Sequence, residues 1–169
     1  FVVLVSAAVP LSLLGWDAWN RDLGANPVNF AIRTTGLLAL IFLLLTLAVT
    51  PVSKLTGWNR VTHFRRLLGV YAFVYAGIHF LIFVVFDRNL SLASTISEIA
   101  SRLYLTIGAA GLLMMLPLAI TSTDAMIKRI GAGRWKLLHR LAYLAAIAGV
   151  AALVGGTVCL LASRKTASA

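Results

Sequence analysis

Acidic residues are scarce in this chain: five Asp and Glu stand against fifteen Lys and Arg across 169 residues, a formal charge of +10. Cysteine occurs once, as Cys159, which excludes an internal disulfide and any zinc or iron–sulfur site built from cysteine thiolates. No glycine-rich nucleotide loop, nucleophile triad or paired carboxylate is present, which argues against self-contained catalysis on an organic substrate. The basic excess does not imply nucleic acid, because the Lys and Arg residues fall between apolar segments rather than along one polar face. They read as topology signals facing anionic membrane lipid. Internal repeats and low-complexity linkers are also missing, so a single domain over residues 1–169 is expected.

What is abundant is apolar. With 60% hydrophobic residues, 12% charged residues and a mean hydropathy of +0.94, the chain reads as an integral membrane protein of all-α fold, a helical bundle. Runs long enough to cross about 30 Å of hydrocarbon at ~1.5 Å per residue predict five spans. These are Phe1 to Trp19, Phe30 to Thr50, Arg66 to Phe86, Leu103 to Ile120 and Leu137 to Ala162. The start, without a basic leader, reads as the remainder of a first span. Pro27 and Pro51 punctuate the second span, whereas Pro10 and Pro117 lie inside apolar runs and are expected to kink them. Between the third and fourth spans Leu92, Ile96, Ile99 and Leu103 recur at helical spacing, with Glu98 and Arg102 four apart, which predicts a short amphipathic helix at the interface.

Charge sets the expected orientation. The segment from Val52 to Arg65 carries Lys54, Arg60 and Arg65 with no acid, and that from Thr121 to Lys136 carries Lys128, Arg129, Arg134 and Lys136 against Asp124. Both belong on the cytoplasmic side by the positive-inside rule. The segments around Arg21 and Arg88 are balanced by acids and suit the outer side. An odd number of spans then leaves Arg164 and Lys165 outside, against that rule.

Two histidines, His79 and His139, lie in the apolar segments, where an ionisable side chain needs a partner or a function. His79 is 13 residues beyond Arg66, roughly 20 Å into the membrane, and His139 is three beyond Lys136, roughly 5 Å in. Histidines at depths differing by ~15 Å do not clamp one planar haem between them. They read as ligands at two levels of one bundle, a wire for electrons. The bland alternative is a hydrogen bond from each imidazole to a helix carbonyl or hydroxyl.

Other candidates carry less. His63, in a basic segment, reads as an exposed loop histidine that could also join His139 at an inner site. Arg65 and Arg66 could bind haem propionates or a flavin phosphate, or serve only as topology anchors. Met114 and Met115 read as packing, with axial sulfur ligation the alternative, and Cys159 reads as a small buried apolar residue. Trp16, Trp19, Trp58, Trp135 and Tyr104 sit near span ends and fit an aromatic belt.

At these residues the sequence also resembles a known family. Arg65-Arg66-Leu67-Leu68-Gly69-Val70-Tyr71-Ala72-Phe73, running on to Ile78-His79-Phe80, is similar to the third helix of the MsrQ (YedZ) family. Asn26-Pro27-Val28, Thr35-Gly36, Thr50-Pro51, Tyr104-Leu105-Thr106-Ile107-Gly108, Leu118-Ala119-Ile120-Thr121-Ser122-Thr123 and Trp135-Lys136-Leu137-Leu138-His139-Arg140-Leu141-Ala142-Tyr143-Leu144 follow in the family's order and spacing, from about Gly15 to Ile147.

The resemblance implies a ferric reductase-like transmembrane domain, usually six helices, that holds b-type haem in the bacterial inner membrane. It implies electrons taken from a cytoplasmic flavin reductase, with FMN implicated, and passed to a periplasmic MsrP-like molybdopterin enzyme that reduces methionine sulfoxide in proteins. His79 and His139 match the family's haem ligands. The fifth helix departs from the pattern: the family carries a further histidine about 13 residues after the one matching His139, and here that position is Ala152, which cannot ligate iron. One haem, an unusual second ligand, such as Met114 for His79, or a divergent paralogue all remain open. Rival functions are another ferric reductase-type carrier delivering electrons to iron or quinone, and a haem-free membrane scaffold.

Overall fold

The computed structural model describes residues 2–20, 22–58 and 62–167; the side chains of residues 2–5, 62, 63, 164 and 167 also lie outside the described set. Every regular element among the described residues is helical. The chain divides into two units, Phe1–Leu90 and Ser91–Ala169.

The first unit holds α1 (Val2–Trp19), α2 (Pro27–Thr56) and α3 (Thr62–Ile82), the last continuing into a π-helical turn, Phe83–Asp87. α2 begins where the sequence says it should: the Asn26 side chain accepts the Asn29 N–H at 3.2 Å, and Pro27 occupies the first turn, where its missing N–H is not needed. It does not end at Pro51. It runs on to Thr56 and stops at Gly57, which takes the left-handed conformation at φ 70°. A proline removes one amide hydrogen bond and crowds the carbonyl four residues back. In a long helix packed against a neighbour, other groups absorb that loss and the helix continues.

The buried residues of α2, Thr35, Ala39, Leu43, Thr46, Val49 and Ser53, recur every three or four positions and form one stripe. That stripe packs on α3. Thr46 Cγ2 lies 3.6 Å from the space where Gly69 would carry a Cβ, and the Phe42 ring stacks on Tyr75 with centroids 5.2 Å apart. Contacts move down α2 as they move up α3, so the pair is antiparallel. The Thr35 and Thr46 hydroxyls each donate to a carbonyl four residues earlier at 2.7 Å, so neither leaves an unmet donor in apolar surroundings. Tyr75, 1% exposed, donates its hydroxyl to the Ala7 carbonyl at 2.8 Å and so ties α1 to α3.

The second unit opens with the expected amphipathic helix, α4 (Leu92–Ser101). Ser91 caps it by accepting the Ser94 N–H, and Glu98 and Arg102 pair at 2.6 Å across one turn. α5 (Leu103–Ile120) and α8 (Leu141–Ala167) then form an antiparallel pair along a seam of small residues. A Cβ at Gly111 would meet Ala148 at 3.3 Å, one at Gly108 would meet Ala152 at 3.5 Å, and one at Gly155 would stand 2.8 Å from the Tyr104 Cβ. Without water to drive apolar helices together, such close backbone approach is what holds them.

Gly155→Val therefore forces the pair apart at its tightest point. We expect a loss of about 1–3 kcal/mol, read by denaturant unfolding in detergent. Gly15→Ala, where nothing lies within 4 Å of the added methyl, should lose no stability and at most collect the helix-propensity gain of alanine, about 0.5–1 kcal/mol. Equal stability of the two variants would refute the seam.

α8 overruns the beginning of α5, because Tyr104 near that beginning already sits against Gly155 and Gly156. Cys159 consequently lies past the seam and is exposed, not buried as the sequence suggested. The segment from Thr121 to Lys136, expected as a loop, instead folds into two short helices, α6 (Asp124–Ile130) and α7 (Ala132–Leu138). Thr123 caps the first and Gly131, at φ 86°, separates them.

Among the described residues four helical stretches are long and apolar enough to cross a membrane: Pro27–Thr56, Phe64–Asp87, Leu103–Ile120 and Ala132–Ser163. α1 is an 18-residue helix at the position of the remaining expected span. Trp16, Trp19 and Trp58 are exposed at helix ends, as an aromatic belt requires. The protein is an all-α, multi-pass membrane protein of the helical-bundle class.

Candidate functional site

His79 sits one turn beyond Tyr75 on α3, half-buried against α2. Its Nδ1 is 2.8 Å from the Ile32 carbonyl oxygen. A carbonyl can only accept, so Nδ1 carries the proton and donates, and Nε2 is left with its lone pair. That is the tautomer in which imidazole binds a metal through Nε2, with the backbone carbonyl fixing the ring. The approach to Ile32 is open because residue 36, one turn further along α2, is glycine. A Cβ at Gly36 would stand 2.9 Å from both Cε1 and Nδ1 of His79. Thr35 Oγ1, 3.2 Å from the same carbonyl, completes the cluster.

His139 lies in the turn between α7 and α8, with φ −68° and ψ −6°. The expected fifth span is thus broken at the histidine. Its Nδ1 is 3.1 Å from the Trp135 carbonyl, which also takes the His139 backbone N–H at 3.0 Å. The proton is again on Nδ1 and the lone pair on Nε2. The Trp135 ring lies over the imidazole with centroids 3.9 Å apart and planes 30° from parallel. Trp135 is itself pinned, its Nε1–H donating to the Thr121 carbonyl at 3.0 Å.

Both imidazoles therefore make the helix-carbonyl bond that the bland alternative anticipated, and the same bond prepares each Nε2 for a ligand role. Among the described residues no group of three or more His, Cys, Asp or Glu side chains could hold a metal ion between them. Each imidazole is thus held as a single side chain by a helix carbonyl, a state that suits a structural hydrogen bond or one ligand to a metal equally.

The remaining candidates are not drawn together. Arg65, half-buried, and Arg66, exposed, occupy the start of α3, roughly 20 Å of helix rise before His79. The His63 side chain lies outside the described residues. Ala152 faces α5 at Gly108, on the small-residue seam. Met115 is buried and Met114 half-buried in α5. Two contributors escaped sequence reasoning, Gly36 and Trp135. The four-residue spacing of Trp135 and His139 was the available signal, masked by the equally good fit of a tryptophan to an interfacial belt.

Residues 35–150 match the family described as the ferric reductase like transmembrane component. The chain is 48% identical to the protein-methionine-sulfoxide reductase heme-binding subunit MsrQ of Ralstonia nicotianae over 149 residues, covering 88% of this chain and 68% of that protein. It is 40% identical to the subunit of the same name from Herminiimonas arsenicoxydans, again over 88% and 68%. For that of Rhodospirillum rubrum the identity is 42%, over 88% and 71%. No solved structure matches the chain. A histidine-bearing, all-α membrane protein with this span of likeness belongs to the MsrQ family of ferric reductase-like transmembrane proteins.

Proposed function

We propose that the chain is a b-type cytochrome of the bacterial inner membrane, the electron-transfer subunit of a protein-methionine-sulfoxide reductase system. The observation that carries this reading is the matched state of the two histidines: each Nδ1 is held by a backbone carbonyl at 2.8 or 3.1 Å, which fixes the tautomer and ring orientation that an Nε2 ligand to haem iron needs. The names of the relatives, heme-binding subunits, support the same group. Haem, when bound, supplies a one-electron carrier that needs neither water nor substrate in the membrane.

In this reading both units act as one ferric reductase-like domain. A cytoplasmic flavin reductase, with FMN, is the donor, and a periplasmic MsrP-like molybdopterin reductase is the acceptor. Arg65 and Arg66, at the expected cytoplasmic end of α3, would meet haem propionates or a flavin phosphate, and His63 would assist there. The conversion of methionine sulfoxide belongs to the acceptor and not to this chain.

Ala152 favours a second reading in which fewer haems are held. Its methyl faces Gly108 on the seam and offers no ligand where relatives are expected to carry one. Purified protein from haem-supplied cells, assayed by pyridine haemochrome with oxidised and dithionite-reduced spectra, decides between them. Two haems per chain support the full cytochrome, one haem supports the reduced reading, and a protein without a Soret band is a scaffold.

A further inference from the structure

Trp135 does more around His139 than a tryptophan of an aromatic belt. α5 ends at Ile120, and the carbonyls of its last turn need partners that the helix no longer supplies. Thr121 N–H and Oγ1–H turn back to Pro117, and Ser122 Oγ–H donates to Leu118. The Thr121 carbonyl, on a residue 7% exposed, is met by the indole N–H of Trp135 at 3.0 Å. The tryptophan is therefore fixed at its far end by the buried Thr121 at the C-terminus of α5. At its near end the indole covers the His139 ring at 3.9 Å, and its own carbonyl takes the Nδ1 proton of that ring. Side chain and main chain of one residue thus constrain the imidazole's plane and tautomer together.

We propose that Trp135 is the positioning residue of His139, transmitting the fixed C-terminus of α5 to the orientation of the histidine's Nε2. The assignment rests on the ligand role proposed above for His139. The main-chain carbonyl survives any substitution, so the part open to mutation is the stack and the indole N–H. Trp135→Phe keeps an aromatic face but loses the bond to Thr121; Trp135→Leu loses both. Groups that orient a ligand in this way are worth about 10–100-fold in affinity for what the ligand holds. A graded series is expected, with haem retention and the reduction potential nearest the parent in the Phe variant and furthest in the Leu variant.

The test is haem retention on dilution, a potentiometric titration and the low-temperature electron paramagnetic resonance spectrum of the purified chain, for Trp135→Phe, Trp135→Leu and His139→Ala. A merely structural tryptophan would alter yield and melting but not the g values or the potential of the haem that remains. Shifted g values and potential in the Leu variant, partly restored in Phe, support the proposal. Unchanged values in both, alongside loss of haem in His139→Ala, overturn it while leaving the ligand intact. If His139→Ala itself keeps its haem and spectrum, the ligand role fails, and the positioning role fails with it.

Discussion

If His79 and His139 ligate haem as proposed, His79→Ala and His139→Ala are each expected to abolish electron transfer from a reduced flavin donor to an acceptor across the membrane. The size of the effect follows from what each imidazole supplies. Losing a group that merely orients a ligand already costs about 10–100-fold in affinity, so losing the ligand costs at least as much, and haem content at micromolar protein should fall to background for the affected site. The two losses differ in what they leave behind. His79→Ala also strips the Ile32 carbonyl of its 2.8 Å donor, but Thr35 Oγ1 at 3.2 Å and the helix's own amide remain within reach, so α2 and α3 stay paired. His139→Ala removes the ring under Trp135, whose indole is still held by Thr121 at 3.0 Å. Both variants should insert and fold, which makes reduced-minus-oxidised spectra interpretable. Full haem in both, with normal reduction, would sink the assignment.

Much of the helix inventory was legible, because a hydrocarbon solvent leaves few choices. A chain that cannot hydrogen-bond to its surroundings must close its backbone bonds internally, so apolar runs become helices with little ambiguity. α2, α3, α5 and α8 correspond to expected spans, and the Glu98–Arg102 pair appears where four-residue spacing put it. The failures are local and share a cause. Pro51 and the Thr121–Lys136 segment were read from residue type alone, yet Pro51 lies within a helix held along its length by α3, and caps at Thr123 and Gly131 are enough to fold α6 and α7. Cys159 was misread because burial depends on where a partner helix begins, a fact about α5 that no residue of α8 encodes.

At the candidate site the histidines themselves were legible and their supports were not. An ionisable residue in an apolar run announces itself by what it would cost unaided. A carbonyl that fixes a tautomer belongs to the backbone, where every residue looks alike. Ile32 and Trp135 serve His79 and His139 through main-chain oxygens, so only the folded geometry identifies them. Glycine at position 36 was visible, but its purpose depends on a residue 43 positions later in the chain.

Gly36→Ala puts two effects in opposition, and their sizes decide the outcome. Alanine in a helix interior is favoured over glycine by about 0.5–1 kcal/mol, so α2 alone would gain. The new methyl, however, would stand 2.9 Å from both Cε1 and Nδ1 of His79, several tenths of an ångström inside ordinary contact. The imidazole must shift by several tenths of an ångström, which stretches or bends its 2.8 Å bond to the Ile32 carbonyl toward the limit of hydrogen-bond geometry. A buried polar group left without its partner costs about 1–3 kcal/mol, which exceeds the helix gain. Haem affinity at the His79 site should therefore drop by roughly 10–100-fold, the penalty for releasing a ligand's orienting bond. Gly69→Ala is the internal control, since its methyl meets only Thr46, Cγ2 at 3.6 Å and Oγ1 at 4.0 Å, on the same helix pair. It should collect the propensity gain without disturbing the histidine. Spectral titration of haem into the two variants separates the effects: weakened binding in Gly36→Ala with parent-like binding in Gly69→Ala assigns the loss to the imidazole's seat. Parent-like binding in both means that His79 does not depend on the Ile32 carbonyl for its hold on iron.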